Sequence, residues 1–124
     1  MIRRGEIYWV EFDPVKGSEQ GGLRPALVIQ NDTGNRYSPT TVVAAITRTV
    51  PPKPYPFTVI IEPHESGLRA TSAINCSQVA TIQQSGPQSR LRAIPGENGI
   101  RPIGRLSDAK MQEVSEALRF NFGL

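Results

Sequence analysis

Glu6-Ile7-Tyr8-Trp9-Val10-Glu11-Phe12, then Gly17-Ser18-Glu19-Gln20-Gly21-Gly22-Leu23-Arg24-Pro25, then Ala26-Leu27-Val28-Ile29-Gln30 set the frame of this chain. In the first run Tyr8, Val10 and Phe12 alternate with Ile7, Trp9 and Glu11, the two-residue period of a two-sided strand. Leu27-Val28-Ile29 is a short apolar run behind a proline, which suits a buried strand that starts at Arg24 or Pro25. Between them lie Gly17, Gly21 and Gly22, a carboxylate and an arginine, far more chemistry than a hairpin turn requires. Loops held by a rigid scaffold are where binding groups collect, and glycine lets backbone approach a ligand closely. Arg24, fixed by Pro25 at the mouth of a strand, offers a guanidinium fork to phosphate or carboxylate. The loop reads as an anion cradle, with a nucleic-acid backbone as its leading ligand.

Further strands follow. Thr40-Thr41-Val42-Val43-Ala44-Ala45-Ile46-Thr47 is rich in β-branched residues and reads as the third strand. Residues 57–62 read as a fourth. Residues 72–76 read as a fifth that runs on into residues 78–82. Residues 31–39 carry every turn signal and read as loop, residues 51–56 as a stiff proline connector, and residues 63–67 as a turn. Residues 83–100 are the least legible, with a short strand expected at 91–94. The C-terminus changes period. Ser107 is a good N-cap, Asp108 suits the first turn, and Leu106 can staple onto Met111. Met111, Val114, Ala117, Leu118 and Phe122 then recur at helical spacing and define one apolar face. The expectation is a single domain spanning residues 1–124, mainly β with a C-terminal helix, its sheet bent into a small antiparallel barrel that removes exposed edges.

Composition narrows the function. The 124 residues suffice for one stable core, and no apolar run is long enough to span a membrane. Arg3-Arg4 passes directly into strand, not into the apolar region of a secretory signal. Cys76 is the only cysteine and His64 the only histidine, which rules out an intramolecular disulfide and a Cys/His metal cluster. A cytoplasmic protein without membrane contact is expected. The net charge of +3 is mild support for a nucleic-acid partner.

The order Gly5-Glu6-Ile7-Tyr8, Asp13-Pro14, the Gly17-to-Pro25 string and Leu27-Val28-Ile29-Gln30-Asn31 resembles the MazF/PemK family of toxin endoribonucleases. The similarity continues through Asn35-Arg36-Tyr37-Ser38-Pro39-Thr40, Val43-Ala44-Ala45-Ile46-Thr47, Gln78-Val79-Ala80-Thr81-Ile82 and Gly104-Arg105-Leu106 into the last helix. It spans nearly the whole chain. The resemblance implies an SH3-like barrel, a homodimer, and a metal- and cofactor-independent nuclease that cuts single-stranded RNA at short sequences. It also implies an antitoxin that occludes the site. An acidic, partly disordered peptide that folds on binding suits a basic RNA groove.

Metal-free RNA cleavage can use the neighbouring 2′-hydroxyl as nucleophile, leaving a 2′,3′-cyclic phosphate and a free 5′-hydroxyl. Such a reaction needs charge stabilisation at phosphorus and help in moving protons. Arg24 matches the family's catalytic arginine; as an always-charged fork it stabilises phosphoryl oxygens, and the family proposal adds proton donation to the leaving oxygen. The alternative is a surface arginine paired with Glu19 or Glu11. Thr47 matches the second catalytic position, where a hydroxyl can hydrogen-bond phosphate or 2′-hydroxyl. Glu19 can orient Arg24, accept a proton or cap the loop. Ser18, Gln20 and Gln78 are expected RNA contacts, and Arg48 and Lys53 can follow the RNA backbone or stand solvated. Tyr37 and Tyr55, in loops, are stacking candidates, whereas Trp9 and Phe57 alternate with core positions and read as packing. His64 reads as a solvent-exposed turn residue and Cys76 as a small buried hydrophobe.

Some family members carry an Arg and an Asp where this chain has Asn75 and Ser77, and use them as acid and base. Neither Asn75 nor Ser77 titrates near neutrality, so that mechanism does not transfer, and Ser18 likewise stands where some relatives have a histidine. The competing function is a non-enzymatic poison of a topoisomerase such as gyrase, a role held by toxins of similar barrel. That reading does not require the Arg24–Thr47 pairing.

Overall fold

Every strand pairing in the computed structural model, which describes residues 1–12 and 22–124, is antiparallel. Strands β1 (Glu6–Phe12) and β2 (Gly22–Val28) come first, and the one-turn-and-a-half helix α1 (Asp32–Tyr37) leads into β3 (Thr40–Thr47). Strand β4 (Thr58–Ile61), the single-turn helix α2 (Pro63–Ser66) and the long β5 (Ser72–Gln83) follow. Two short strands, β6 (Leu91–Arg92) and β7 (Gly104–Arg105), precede the closing helix α3 (Asp108–Phe122). The order across the sheet is β4-β5-β3-β2-β1-β6, with β7 sharing the outer edge of β1.

The sheet curls but its ladder stays open, because β4 at one end has no bonded partner among β6 and β7 at the other. Helix α2 seals that seam by packing against β7. A Cβ on Gly104 would lie 2.3 Å from the Ser66 carbonyl oxygen, and one on Gly67 would lie 2.7 Å from that of Ile103. Only glycine permits this approach of backbone to backbone. The barrel expected from the sequence is thus a curled half-barrel with one edge covered by a helical turn.

Both faces of the sheet are buried, which explains why β1 is apolar at successive positions. Ile7, Leu27, Ala44, Ile46, Ile61 and Ile74 form one core with Met111, Val114 and Ala117 of α3. Tyr8, Val10, Ala26, Val28 and Val43 form a second core on the opposite side with Ile2, Ile82 and Leu91. Helix α3 begins as expected, with Ser107 Oγ accepting the Lys110 N–H at 3.1 Å. Phe122 is 54% exposed. It lies only about 20° around the helix from the buried Met111, so its exposure comes from its place as the last residue of α3, before the C-cap Gly123.

Two segments read as irregular are helical. In residues 31–39 the turn-forming residues serve helix α1: Asn31 Oδ1 caps it by accepting the Gly34 N–H at 2.8 Å. Asn35 is buried and its Oδ1 accepts from Thr41 Oγ1 at 2.6 Å and Gln30 Nε2 at 3.0 Å. In residues 63–67 Pro63 opens α2, Glu62 and Glu65 form a reciprocal capping box, and Gly67 closes it at φ 79°.

Candidate active site

The site begins with a missing hydrogen-bond donor. In β2 the Val28 carbonyl faces β1, where it accepts the Gly5 N–H, while the next residue, Ile29, donates to Val42 beside β3. Backbone groups alternate along a strand, so those of Leu27 and Pro25 also face β3. The β2–β3 register runs Val28↔Val43, Leu27↔Ala44, Ala26↔Ala45 and stops. The next position would set Pro25 against Ile46 and need an N–H that proline lacks. Carried one step further, the same register would bring Arg24 opposite Thr47.

Where pairing stops, an open cleft of about 650 Å³ begins. Trp9 and Arg24 line one side, and Thr47 and Arg48 the end of β3. The far wall comes from Tyr55, Phe57 and Thr58 at the entry to β4, with Asn75 of β5 beside them. Arg24 remains registered on Val10 of β1, and Thr47 on Ala73 of β5. Each is therefore held by sheet on one side only. Among the described residues lining the cleft there are two arginines and no carboxylate, an arrangement that attracts anions.

Local hydrogen bonds orient the polar groups. Thr49 N–H donates to one lone pair of Thr47 Oγ1 at 3.1 Å, and among the described residues nothing accepts the hydroxyl proton. Asn75 Oδ1 accepts both the N–H and the hydroxyl of Ser77. The rings of Tyr55 and Phe57 stack at 5.1 Å and 6°.

Of the residues expected from the sequence, Arg24, Thr47, Arg48 and Tyr55 come together here. Tyr37 ends α1, 75% exposed with the Arg36 guanidinium over its ring, and does not line the cleft. Lys53 and Gln78 are exposed and also lie off the cleft wall. Glu19, Ser18 and Gln20 fall outside the described residues. His64 is exposed on α2 and takes no part in the cleft. Cys76 is buried, and burial pushes its thiol up to about 11. Among the described residues no group of three His, Cys, Asp or Glu is placed to hold a metal.

Trp9 and Phe57, read as packing residues, also line the cleft, Phe57 while packing against the first core as expected. For Trp9 the signal is its register partner Pro25, at the point where β2 parts from β3. Asn75 and Thr58 were missed as site residues. They are register partners across β4 and β5, a relation visible only once the strands are aligned.

A sequence profile of PemK-like, MazF-like toxins of type II toxin–antitoxin systems matches residues 3–122. An endoribonuclease MazF from Staphylococcus saprophyticus is 41% identical over 124 residues, covering all of this chain and 93% of that protein. The crystal structure of MazF (Form-I) from Deinococcus radiodurans superposes with a TM-score of 0.73 at 24% identity, covering 99% of this chain and 97% of that one. A mycobacterial endoribonuclease in complex with its cognate antitoxin gives a TM-score of 0.72 at 21% identity, covering 100% and 97%. The two structures share the fold, and the profile and the staphylococcal relative match along essentially the whole length. This chain belongs to the family of PemK-like, MazF-like toxins of type II toxin–antitoxin systems.

Proposed function

We propose that this toxin is an endoribonuclease that binds single-stranded RNA in the cleft between β2 and β3 and cleaves it by transphosphorylation. The 2′-hydroxyl oxygen attacks the adjacent phosphorus, its proton passes to a base, and the bond to the 5′-oxygen breaks. The products are a 2′,3′-cyclic phosphate and a 5′-hydroxyl, which takes up a proton. The reaction consumes no cofactor and requires no metal in principle.

Arg24 stabilises the charge that builds on the phosphoryl oxygens, where a planar fork of donors suits two oxygens at once. Thr47 donates its hydroxyl proton to the same group or to the 2′-oxygen. Glu19 supplies the base or orients Arg24. Arg48 and the Tyr55 ring hold the chain on either side of the scissile phosphate, and Tyr37, Lys53, Ser18, Gln20 and Gln78 contact RNA beyond the cleft wall. The supporting observation is that Arg24 and Thr47 both line one cleft, which opens where the β2–β3 ladder stops short of Pro25.

The toxin acts in the cytoplasm as a homodimer, and an acidic, partly disordered antitoxin silences it by occupying the same groove. The mycobacterial relative bound to its cognate antitoxin supports this partnership. Incubating the protein with single-stranded RNA in excess chelator tests the reading. Discrete fragments with 5′-hydroxyl ends are expected, lost in Arg24→Ala and blocked by saturating antitoxin. Intact RNA alongside growth arrest in cells would overturn it in favour of a non-enzymatic poison.

A further inference from the structure

We infer that Asn75 is a specificity-determining residue, its side-chain amide nitrogen reading a carbonyl oxygen (uracil O4 or guanine O6) on a nucleobase seated against the Phe57–Tyr55 stack. This rests on the reading of the cleft as an RNA site.

The first support is the fixed orientation of the amide. A backbone N–H can only donate, and Ser77 N–H lies 3.1 Å from Asn75 Oδ1. The atom facing Ser77 is therefore the oxygen, and the Ser77 hydroxyl bonds to the same oxygen. With Oδ1 occupied twice, the amide presents Nδ2 and its two donors to the cleft. Among the described residues nothing is hydrogen-bonded to Nδ2, and Asn75 lines the cleft wall. A group that can only donate favours a keto base and leaves the amino group of cytosine or adenine facing another donor.

The second support is what stands beside it. The Cys76 N–H donates to the Phe57 carbonyl at 2.9 Å, and Thr58 is the register partner of Asn75. Phe57 is therefore one residue from Asn75's partner Thr58; its side chain packs on the face of Val59 and Cys76, and both Phe57 and Asn75 line the cleft. Phe57 stacks with Tyr55, whose ring is 59% exposed. Aromatic platforms hold single-stranded bases by stacking without regard to identity, so the stack supplies affinity and Asn75 supplies the choice.

The third support is why the amide sits there. In β5, Ala44 of β3 faces Val79 and Ala45 faces Asn75, so residues 76–78 have no partner on β3. Such an insertion re-aims a side chain. It turns the Ser77 hydroxyl and N–H back onto Asn75, making Ser77 a positioning residue.

The test maps 5′-hydroxyl ends on a long RNA cut in chelator by the wild-type toxin, Asn75→Asp and Ser77→Ala, and compares base frequencies within each reaction. The wild type is expected to prefer U or G at one position near the cut. Asn75→Asp, an acceptor in place of a donor, shifts that position about tenfold towards C or A and leaves the others unchanged. Ser77→Ala removes the hydroxyl and leaves only the backbone N–H on Oδ1, which loosens the amide and lowers the keto preference several-fold. A wild type with no keto preference at any position, or variants that cut with wild-type frequencies, overturns the assignment, as does an equal loss at all sites. Should Asn75→Asp fail to fold, Ser77→Ala at its exposed position decides alone. A wild type that cuts no RNA overturns the nuclease reading itself, a result distinct from active variants with unchanged preference.

Discussion

Thr47→Val separates the hydroxyl's chemistry from the residue's place in the sheet. Valine keeps the β-branched shape that suits β3, and the Thr47↔Ala73 register is a backbone matter. What is lost is the oxygen that accepts from Thr49 N–H at 3.1 Å, and the proton it leaves free for the cleft. Thr49 is exposed, so water replaces the acceptor and the stability cost stays below ~1 kcal/mol. A domain of this size then melts no more than about 5 °C lower. In the transition state the missing donor faces growing charge in a confined site, where one such donor contributes on the order of 10²-fold in kcat. The expected outcome is a folded toxin whose kcat/KM on a fluorogenic single-stranded RNA falls about 100-fold, with Thr47→Ser within about tenfold of wild type. Cleavage by Thr47→Val within threefold of wild type would refute the argument. So would a Thr47→Ser variant as inactive as Thr47→Val, because the hydroxyl would then not be the operative group.

Arg24→Lys retains a charge but replaces a planar fork with a point donor, so kcat/KM is expected to fall at least about 100-fold, and further in Arg24→Ala; an active lysine variant would show that charge alone suffices. Pro25→Ala restores the N–H that faces Ile46 and allows one more rung between β2 and β3. The new hydrogen bond adds about 1 kcal/mol and the lost proline stiffness removes about 0.4–1, so melting should barely move while cleavage slows as the lips draw together. Unchanged cleavage would sink the idea that the missing rung holds the cleft open. Acid should destabilise the fold through Asp32 and Glu65. The Arg4 N–H holds Asp32 below the ordinary carboxylate value of 3.8, and the Glu62 N–H holds Glu65 below 4.5. A depressed folded value gives stability that is present above the unfolded value and is lost as pH falls through the folded one. The urea midpoint should therefore drop from pH 6 to pH 3, by less in Asp32→Asn, and an equal drop in both proteins would remove Asp32 from the account.

The strands were legible because their apolar residues are β-branched and bounded by glycine and proline; β3 was read residue for residue. Helix α1 was not, because its residues favour turns in isolation. Asn35 becomes helical through bonds to Gln30, Thr41 and Gln84, the last of them 49 residues away. The site was half legible. Arg24 and Thr47 stood out by motif, and Tyr55 by its exposed loop. Trp9, Phe57, Thr58 and Asn75 reach the cleft through cross-strand register, and a period-two pattern does not state which strand lies beside which. Tyr37 is the converse case. Its aromatic ring in a polar segment suggested stacking, yet α1 carries it away from the cleft wall.

The geometry of the cleft follows from how β3 is held. From Val43 to Ala45 it is paired on both sides, by β2 and by β5. Beyond that point β5 continues alone, with Ile46 on Ile74 and Thr47 on Ala73. An unpaired strand end would ordinarily fray, but Ile46 and Ile74 are 1% and 0% exposed in the core that α3 covers. Side chains alternate faces along a strand, so the residue after a buried Ile46 is turned into the cleft at a position the core dictates. Arg24 is placed in the same way from the other side, through its register with Val10, which is fully buried in the second core. The two lips thus belong to different hydrophobic cores and are joined through the sheet. A substitution that loosens either core should misplace one of the two proposed catalytic groups without touching the other, and a shift of about 1 Å in such a pair can cost on the order of 10²-fold in rate.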